Sequence, residues 1–142
     1  MKRLIRFVRL PLRDQGLVIE AAASLMLADL VLNTIPFSRL ARRLGRHMAE
    51  SPATAEPFDI ERAERIRWAI DAVAGRLPWQ PVCFPRAVAA TSMLRRRGIA
   101  STMYFGVDPA RDLDAHAWVR VGSLIVSGGP LEQRFTVVST FA

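Results

Sequence analysis

Cys83-Phe84-Pro85-Arg86-Ala87-Val88-Ala89-Ala90-Thr91-Ser92-Met93-Leu94-Arg95-Arg96-Arg97-Gly98 carries the clearest structural signal in the chain. Ala87, Ala90-Thr91 and Leu94 recur at helical intervals and form a packing stripe. Pro85 falls in the first turn, where its missing N–H costs nothing. The three arginines fall in the last turn, where they complement the helix dipole, and Gly98 supplies the stop. The helix therefore opens at the only cysteine in the chain. Further on, Asp114-Ala115-His116-Ala117-Trp118-Val119 begins a strand-like run with a histidine near its start. A thiol at a helix N-terminus with an imidazole facing it is the arrangement a cysteine nucleophile needs, because dipole and imidazolium both favour the reactive thiolate form.

Past Gly98 the hydrophobic rhythm changes to period two. Thr102 to Val107, His116 to Val121, Leu124 to Ser127 and Phe135 to Ser139 read as strands, with Gly122-Ser123 as a two-residue hairpin turn. Connections this short favour an antiparallel sheet. Before Cys83 the reading is helical. Gly16 to Leu32 is broadly apolar, Ser38 is placed to cap a short helix ending near His47, and Asp59 is placed to cap an amphipathic helix carrying Ile60, Ala63, Ile66, Ile70 and Val73. Near the end of its helix His47 reads as a solvated residue. Glu50 to Pro57, with two prolines and little to bury, reads as a linker. The expectation is an α+β fold, helices first and then a small sheet packed on the cysteine-bearing helix. The linker divides an N-terminal helical segment, 1–50, from a core over 58–142.

Composition bounds the rest. The 142 residues allow one domain with a small appendage, and 51% apolar residues provide a core. One cysteine excludes an internal disulfide framework and points to a reducing, cytoplasmic setting. His47 and His116 are far apart and no CxxC or HxxxH pair exists, so no metal site and no cofactor is expected. The formal charge of +7, carried almost entirely by arginine, suits nucleic acid, anionic lipid, an acidic polypeptide or a merely solvated surface, and composition does not choose among them. No aromatic-interleaved sheet or helix-turn-helix signature supports nucleic acid. The Gly16–Leu32 segment carries Glu20 and Asp29, whose insertion cost makes a buried or interfacial helix the better reading than a membrane span.

On the strand from His116, alternation places His116, Trp118 and Arg120 on one face and Ala117, Val119 and Val121 on the other. If the sheet lies beside the Cys83 helix, His116 generates the thiolate and later protonates the leaving amine. The unsatisfied backbone N–H groups at the start of that helix, that of Cys83 first, are candidates for the oxyanion, with the Gln80 side chain as a second donor. Trp79 and Trp118 are candidates for substrate contact. The group that orients the imidazole is open. After His116 the chain has no aspartate or asparagine, and Glu132 is its only acid. Ser127 can accept a hydrogen bond. Asp114 alternates onto the histidine side, but a separation of about 6.5–7 Å along an extended chain makes a bond to the same ring awkward. A backbone carbonyl or a plain dyad also remains.

Trp79-x-x-x-Cys83-x-x-Arg86-Ala87, then Leu94-Arg95-Arg96-Arg97-Gly98-Ile99, Gly106-Val107, and Ala115-His116-Ala117-Trp118-Val119 with its glycine-containing hairpin resemble the leader peptidases of lasso-peptide biosynthesis. Those belong to the transglutaminase-like cysteine protease superfamily. The resemblance covers about Leu77 to Phe141. It implies Cys83 as nucleophile, His116 as general base and acid, and a precursor peptide whose leader is removed. It further implies a separate leader-binding protein and a macrolactam cyclase that uses the freed N-terminus. The superfamily's usual aspartate on the strand after the histidine is missing, and Val126-Ser127-Gly128-Gly129 stands in its place. The competing readings are an acyltransferase of the same fold and a basic, non-catalytic interaction module.

Overall fold

A computed structural model describes residues 7–111, 114–129 and 134–142. Four helices come first among them: α1 (Leu12–Thr34), α2 (Phe37–Leu44), α3 (Pro57–Ala74) and α4 (Cys83–Arg96). Four strands follow: β1 (Thr102–Asp108), β2 (Asp114–Val121), β3 (Leu124–Ser127) and β4 (Thr136–Phe141). The sheet is antiparallel with spatial order β3-β2-β1-β4. The architecture is α+β, as the change of hydrophobic period implies.

The register follows from side-chain alternation. Met103 opposite Val119 and Phe105 opposite Ala117 turn toward the helices, and Val121 and Phe141 join them in the core. Ala87, Ala90, Met93 and Leu94 present the facing stripe of α4, all fully buried. These small and branched side chains let helix and sheet approach closely, and their burial is the principal stabilising term. On the other face of the sheet, Gly106 lies opposite His116 and Tyr104 opposite Trp118.

The apolar α1 is long enough to cross a membrane, with a mean hydropathy of 1.6. Its Leu17, Ala21, Leu25 and Ala28 nevertheless belong to the same core cluster as α3, α4 and the sheet, while Glu20 bonds Arg96 and Arg97. The outward stripe of Ile19, Met26, Leu27 and Leu30 stays exposed.

Two helix starts differ from the capping pattern read in the sequence, and a third, that of α4, agrees with it. α2 begins at Phe37 after Pro36, so Ser38 lies inside it and caps nothing. α3 begins at Pro57 after Glu56, which puts Asp59 in its first turn. In each case a proline fixes φ near the helical value and sets the boundary ahead of the polar residue. α4 begins at Cys83 itself, with Pro85 at its third position. His47 is exposed but not idle: it bridges to β4 at Phe141 and bonds Ser139.

The segment between α2 and α3 is held to the sheet. Arg120 donates to the carbonyls of Ser51 and Pro52 and to Tyr104 Oη, and Ser51 N–H donates to Thr102 Oγ1. One core cluster runs from Leu17 to Phe141 across this connection.

Candidate active site

A cleft of about 570 Å3 opens between the N-terminal end of α4, one side of α3 and the whole of β3. Cys83 and His116 both line it. Pro81, Val82 and Ser123 through Gly129 complete the walls, with Arg67, Asp71 and Arg86 on the helical side. Cys83 is a free, half-buried thiol at the first position of α4, preceded by extended Val82. The buried Pro81 and the left-handed Gln80 (φ 42°) turn the chain sharply into the helix.

The local sequence leaves a particular set of donors at this helix end. The first turn of any helix has N–H groups with no intrahelical partner. Here Pro85 has none to offer, and the Arg86 N–H reaches the Val82 carbonyl at 3.4 Å. Among the described residues the N–H groups of Cys83 and Phe84 have no backbone partner, and Cys83, whose thiol they flank in sequence, lines the cleft.

His116 is held from several sides. Its Nε2–H donates to the Gly128 carbonyl at 2.6 Å. A carbonyl only accepts, so the neutral ring carries its proton on Nε2 and leaves Nδ1 free. The imidazole stacks on Phe135 at 4.7 Å and on Trp118 at 5.9 Å, and Trp118 stacks on Tyr104 at 5.3 Å. Gly106 makes this possible, because a Cβ there would lie 2.9 Å from the Trp118 ring and 2.7 Å from Phe135. Gly128 has φ +89°, and a Cβ on it would meet the Ala117 carbonyl at 2.5 Å. Both glycines are required by close approach.

The residues that the sequence singles out for the site divide according to where the fold puts them. Cys83 and His116 share the cleft, although among the described residues no hydrogen bond joins thiol to imidazole. Ser127 also lines the cleft, but among the described residues its buried hydroxyl has no partner and does not hold the ring. Asp114 is exposed at the end of β2, opposite Asp108, and makes no side-chain hydrogen bond among the described residues. Trp118 is buried behind His116 and does not line the cleft, so it braces the imidazole where substrate contact was expected. Trp79 and Gln80 are exposed outside the cleft lining. Glu132 lies outside the described residues.

The Gly128 carbonyl and the Phe135 ring do not stand out in the sequence. A main-chain acceptor has no residue letter of its own. The pair Gly128-Gly129 directly after a strand is the available signal, since glycine marks close backbone approach.

Charge around the cleft is mixed. Arg86 pairs with Asp71 across it, whereas Arg67 has no carboxylate partner among the described ion pairs and reaches the Ile125 carbonyl at 3.5 Å. Away from the cleft, Arg134 and the Ala110 N–H hold the Asp108 carboxyl below its ordinary range. A second groove of about 580 Å3, between α1, α2 and α4, is lined chiefly by apolar side chains such as Val31, Leu40 and Val88 and contains neither Cys83 nor His116. Among the described residues no cluster of His, Cys, Asp or Glu could hold a metal.

Comparison with known families gives a match to the transglutaminase-like superfamily over residues 31–140, from within α1 to the end of β4. No curated protein and no solved structure matches the chain.

Proposed function

The chain belongs to the transglutaminase-like superfamily, and on that footing we propose that it is a cysteine endopeptidase removing the leader from a ribosomally made lasso-peptide precursor. The superfamily generally comprises cysteine proteases and acyltransferases. One observation carries the reading to this chain. Cys83, at a helix start whose first N–H groups have no backbone partner among the described residues, and His116, with its Nε2 committed to a carbonyl, line a single cleft. The order of motifs from Trp79 to Val119 supports the choice of substrate.

In the proposed reaction the substrate carbonyl enters between the sulfur and the N–H groups of Cys83 and Phe84. His116 Nδ1 takes the thiol proton as Sγ attacks the carbonyl carbon, and the contact tightens as substrate fills the cleft. The oxyanion is held by the two N–H groups. Collapse breaks the C–N bond, His116 returns the proton to the departing amine, and a thioester remains on Cys83. Water then attacks the thioester with His116 as base, releasing the leader's carboxylate and regenerating the thiol. The Gly128 carbonyl fixes the tautomer and plane of the ring, the orienting role a carboxylate usually fills. Asp114 and Ser127 take no part in that role.

A separate leader-binding protein completes the reading. The exposed Ile19, Met26, Leu27 and Leu30 stripe on α1 is an apolar surface of the kind a partner covers. A ribosomal precursor places the reaction in the cytoplasm, and the freed amine passes to a macrolactam cyclase.

The test is incubation of protein, precursor and leader-binding partner, followed by mass spectrometry. The expected result is one backbone cut with addition of water, absent with Cys83→Ala. A new amide joining the acyl part to an added amine, with no hydrolysed product, would instead make the chain an acyltransferase. Function that survives Cys83→Ala and His116→Ala but is lost on arginine substitution would make it an interaction module.

A further inference from the structure

The two edges of the sheet are treated differently. The β4 edge is closed by main chain: Met48 N–H donates to the Thr140 carbonyl at 2.8 Å, Arg46 N–H to the Ala142 carbonyl at 2.8 Å, and His47 bridges Phe141. At the other edge, β3 pairs only with β2 among the described residues, and its residues line the cleft that holds Cys83 and His116. An edge strand left without a partner is a ready template for another extended chain.

The Ile125 carbonyl shows which way this template points. It is met by Arg67 of α3 from across the cleft, so it faces away from β2. On an extended strand the N–H and C=O of one residue point to the same side, so the Ile125 N–H faces the cleft as well. The Arg67 contact is long and its guanidinium exposed, so a peptide amide can replace it. Beyond Ile125, β3 runs through Ser127 to Gly128, whose carbonyl holds His116. A strand laid along β3 is thus led directly to the sulfur and imidazole. The volume suits this use, since a cleft of about 570 Å3 falls in the range that encloses a short peptide segment.

We propose that the substrate binds as a fifth strand along β3, exchanging main-chain hydrogen bonds with Ile125, so that backbone pairing delivers the scissile carbonyl to Cys83. This rests on the peptidase reading above and adds to it the conformation and the docking surface of the substrate. Such recognition draws affinity from the peptide backbone and places alternate side chains on opposite walls.

The experiment uses the full chain with its leader-binding partner and precursor peptides carrying one N-methylated backbone amide at a time around the cut. Methylation removes a donor and keeps the side chain. The expected profile alternates, with kcat/KM falling roughly 10-fold or more at the amide that pairs with Ile125 and changing little at its neighbours. Ile125→Pro removes an N–H that β2 does not use, and proline is tolerated at such an edge position. It is expected to raise KM for the unmethylated precursor roughly 10-fold, and an unchanged KM in the folded variant would overturn the strand-pairing proposal. A flat N-methyl profile with efficient cleavage overturns the strand-pairing proposal and leaves the peptidase reading standing. Failure of the parental protein to cut any precursor overturns both. Should Ile125→Pro not fold, the methylated peptides decide the question on the parental protein.

Discussion

The two ends of α4 are built from opposite uses of the same helix physics. At the C-terminal end every arginine is engaged. Arg95 donates to the Arg43 and Leu44 carbonyls, Arg96 bonds Glu20 and Ser24, and Arg97 bonds Glu20 and the Met93 carbonyl. At the N-terminal end the N–H groups of Cys83 and Phe84 have no backbone partner among the described residues, and Cys83 lines the cleft. A helix end satisfied by its own protein contributes stability, whereas an end left unsatisfied is available to a ligand. Substitutions at the two ends should therefore separate activity from stability.

The largest expected effect is at the sulfur. Cys83→Ala is expected to abolish precursor cleavage, a loss of at least about a thousand-fold, with little change in the urea midpoint. Equal loss of stability in that variant would contradict the division between the two ends. Next is Gly128→Ala. A Cβ there meets the Ala117 carbonyl and the Trp118 side chain, so the loop must shift and take the imidazole's acceptor with it. Misplacement on the scale of 1 Å corresponds to about a hundred-fold in kcat. The pH–rate profile should move along with kcat, because the group that orients His116 has moved; a fall in stability with an unchanged profile would assign Gly128 a packing role only.

At the other end of α4 the expected effects are smaller and purely structural. Glu20→Gln leaves Arg96 and Arg97 without their carboxylate and is expected to cost about 1 kcal/mol in urea unfolding, since Glu20 and Arg97 remain about a quarter exposed and water screens the pair. The kcat of the folded variant should equal that of the parent. The smallest effect is the pH dependence of the same contact. The Arg97 guanidinium, bonded to Glu20 at 2.5 Å, holds this carboxyl below its ordinary value against the opposing effect of partial burial, with Arg96 assisting. A depressed carboxylate stabilises the fold fully above its unfolded pKa. That contribution fades as pH falls through the folded value. The stability difference between parent and Glu20→Gln should therefore be constant near neutrality and shrink in acid, as followed by urea unfolding across pH. A difference growing toward acid would reverse the sign and refute the assignment.

Much of this fold is legible in the residues because local and tertiary signals agree. The stretch from Cys83 to Gly98 has its proline, stripe, terminal arginines and glycine in helical order, and the structure has the helix there. Alternation along His116 to Val121 places Ala117, Val119 and Val121 in the core, where they lie. What alternation could not supply is depth. His116, Trp118 and Arg120 share a face, yet one lines the cleft, one is buried in an aromatic stack, and one fastens the connection between α2 and α3. A backbone carbonyl is among the acceptors the sequence leaves open for the imidazole, but which carbonyl is unreadable for another reason. A search for side chains finds Asp114 and Ser127, whereas the group in contact is the main chain of Gly128, brought in by a turn at positive φ. The helix starts at Phe37 and Pro57 show prolines setting boundaries that polar residues were expected to set.

The tether formed by Arg120, Tyr104 and Ser51 has a mechanical consequence. The proline-bearing passage in the middle of the chain is sewn to the sheet at several points, so heating should release the helices and the sheet together in a single calorimetric peak. A nicking protease added to the native protein should find the seam between them closed until the whole molecule opens.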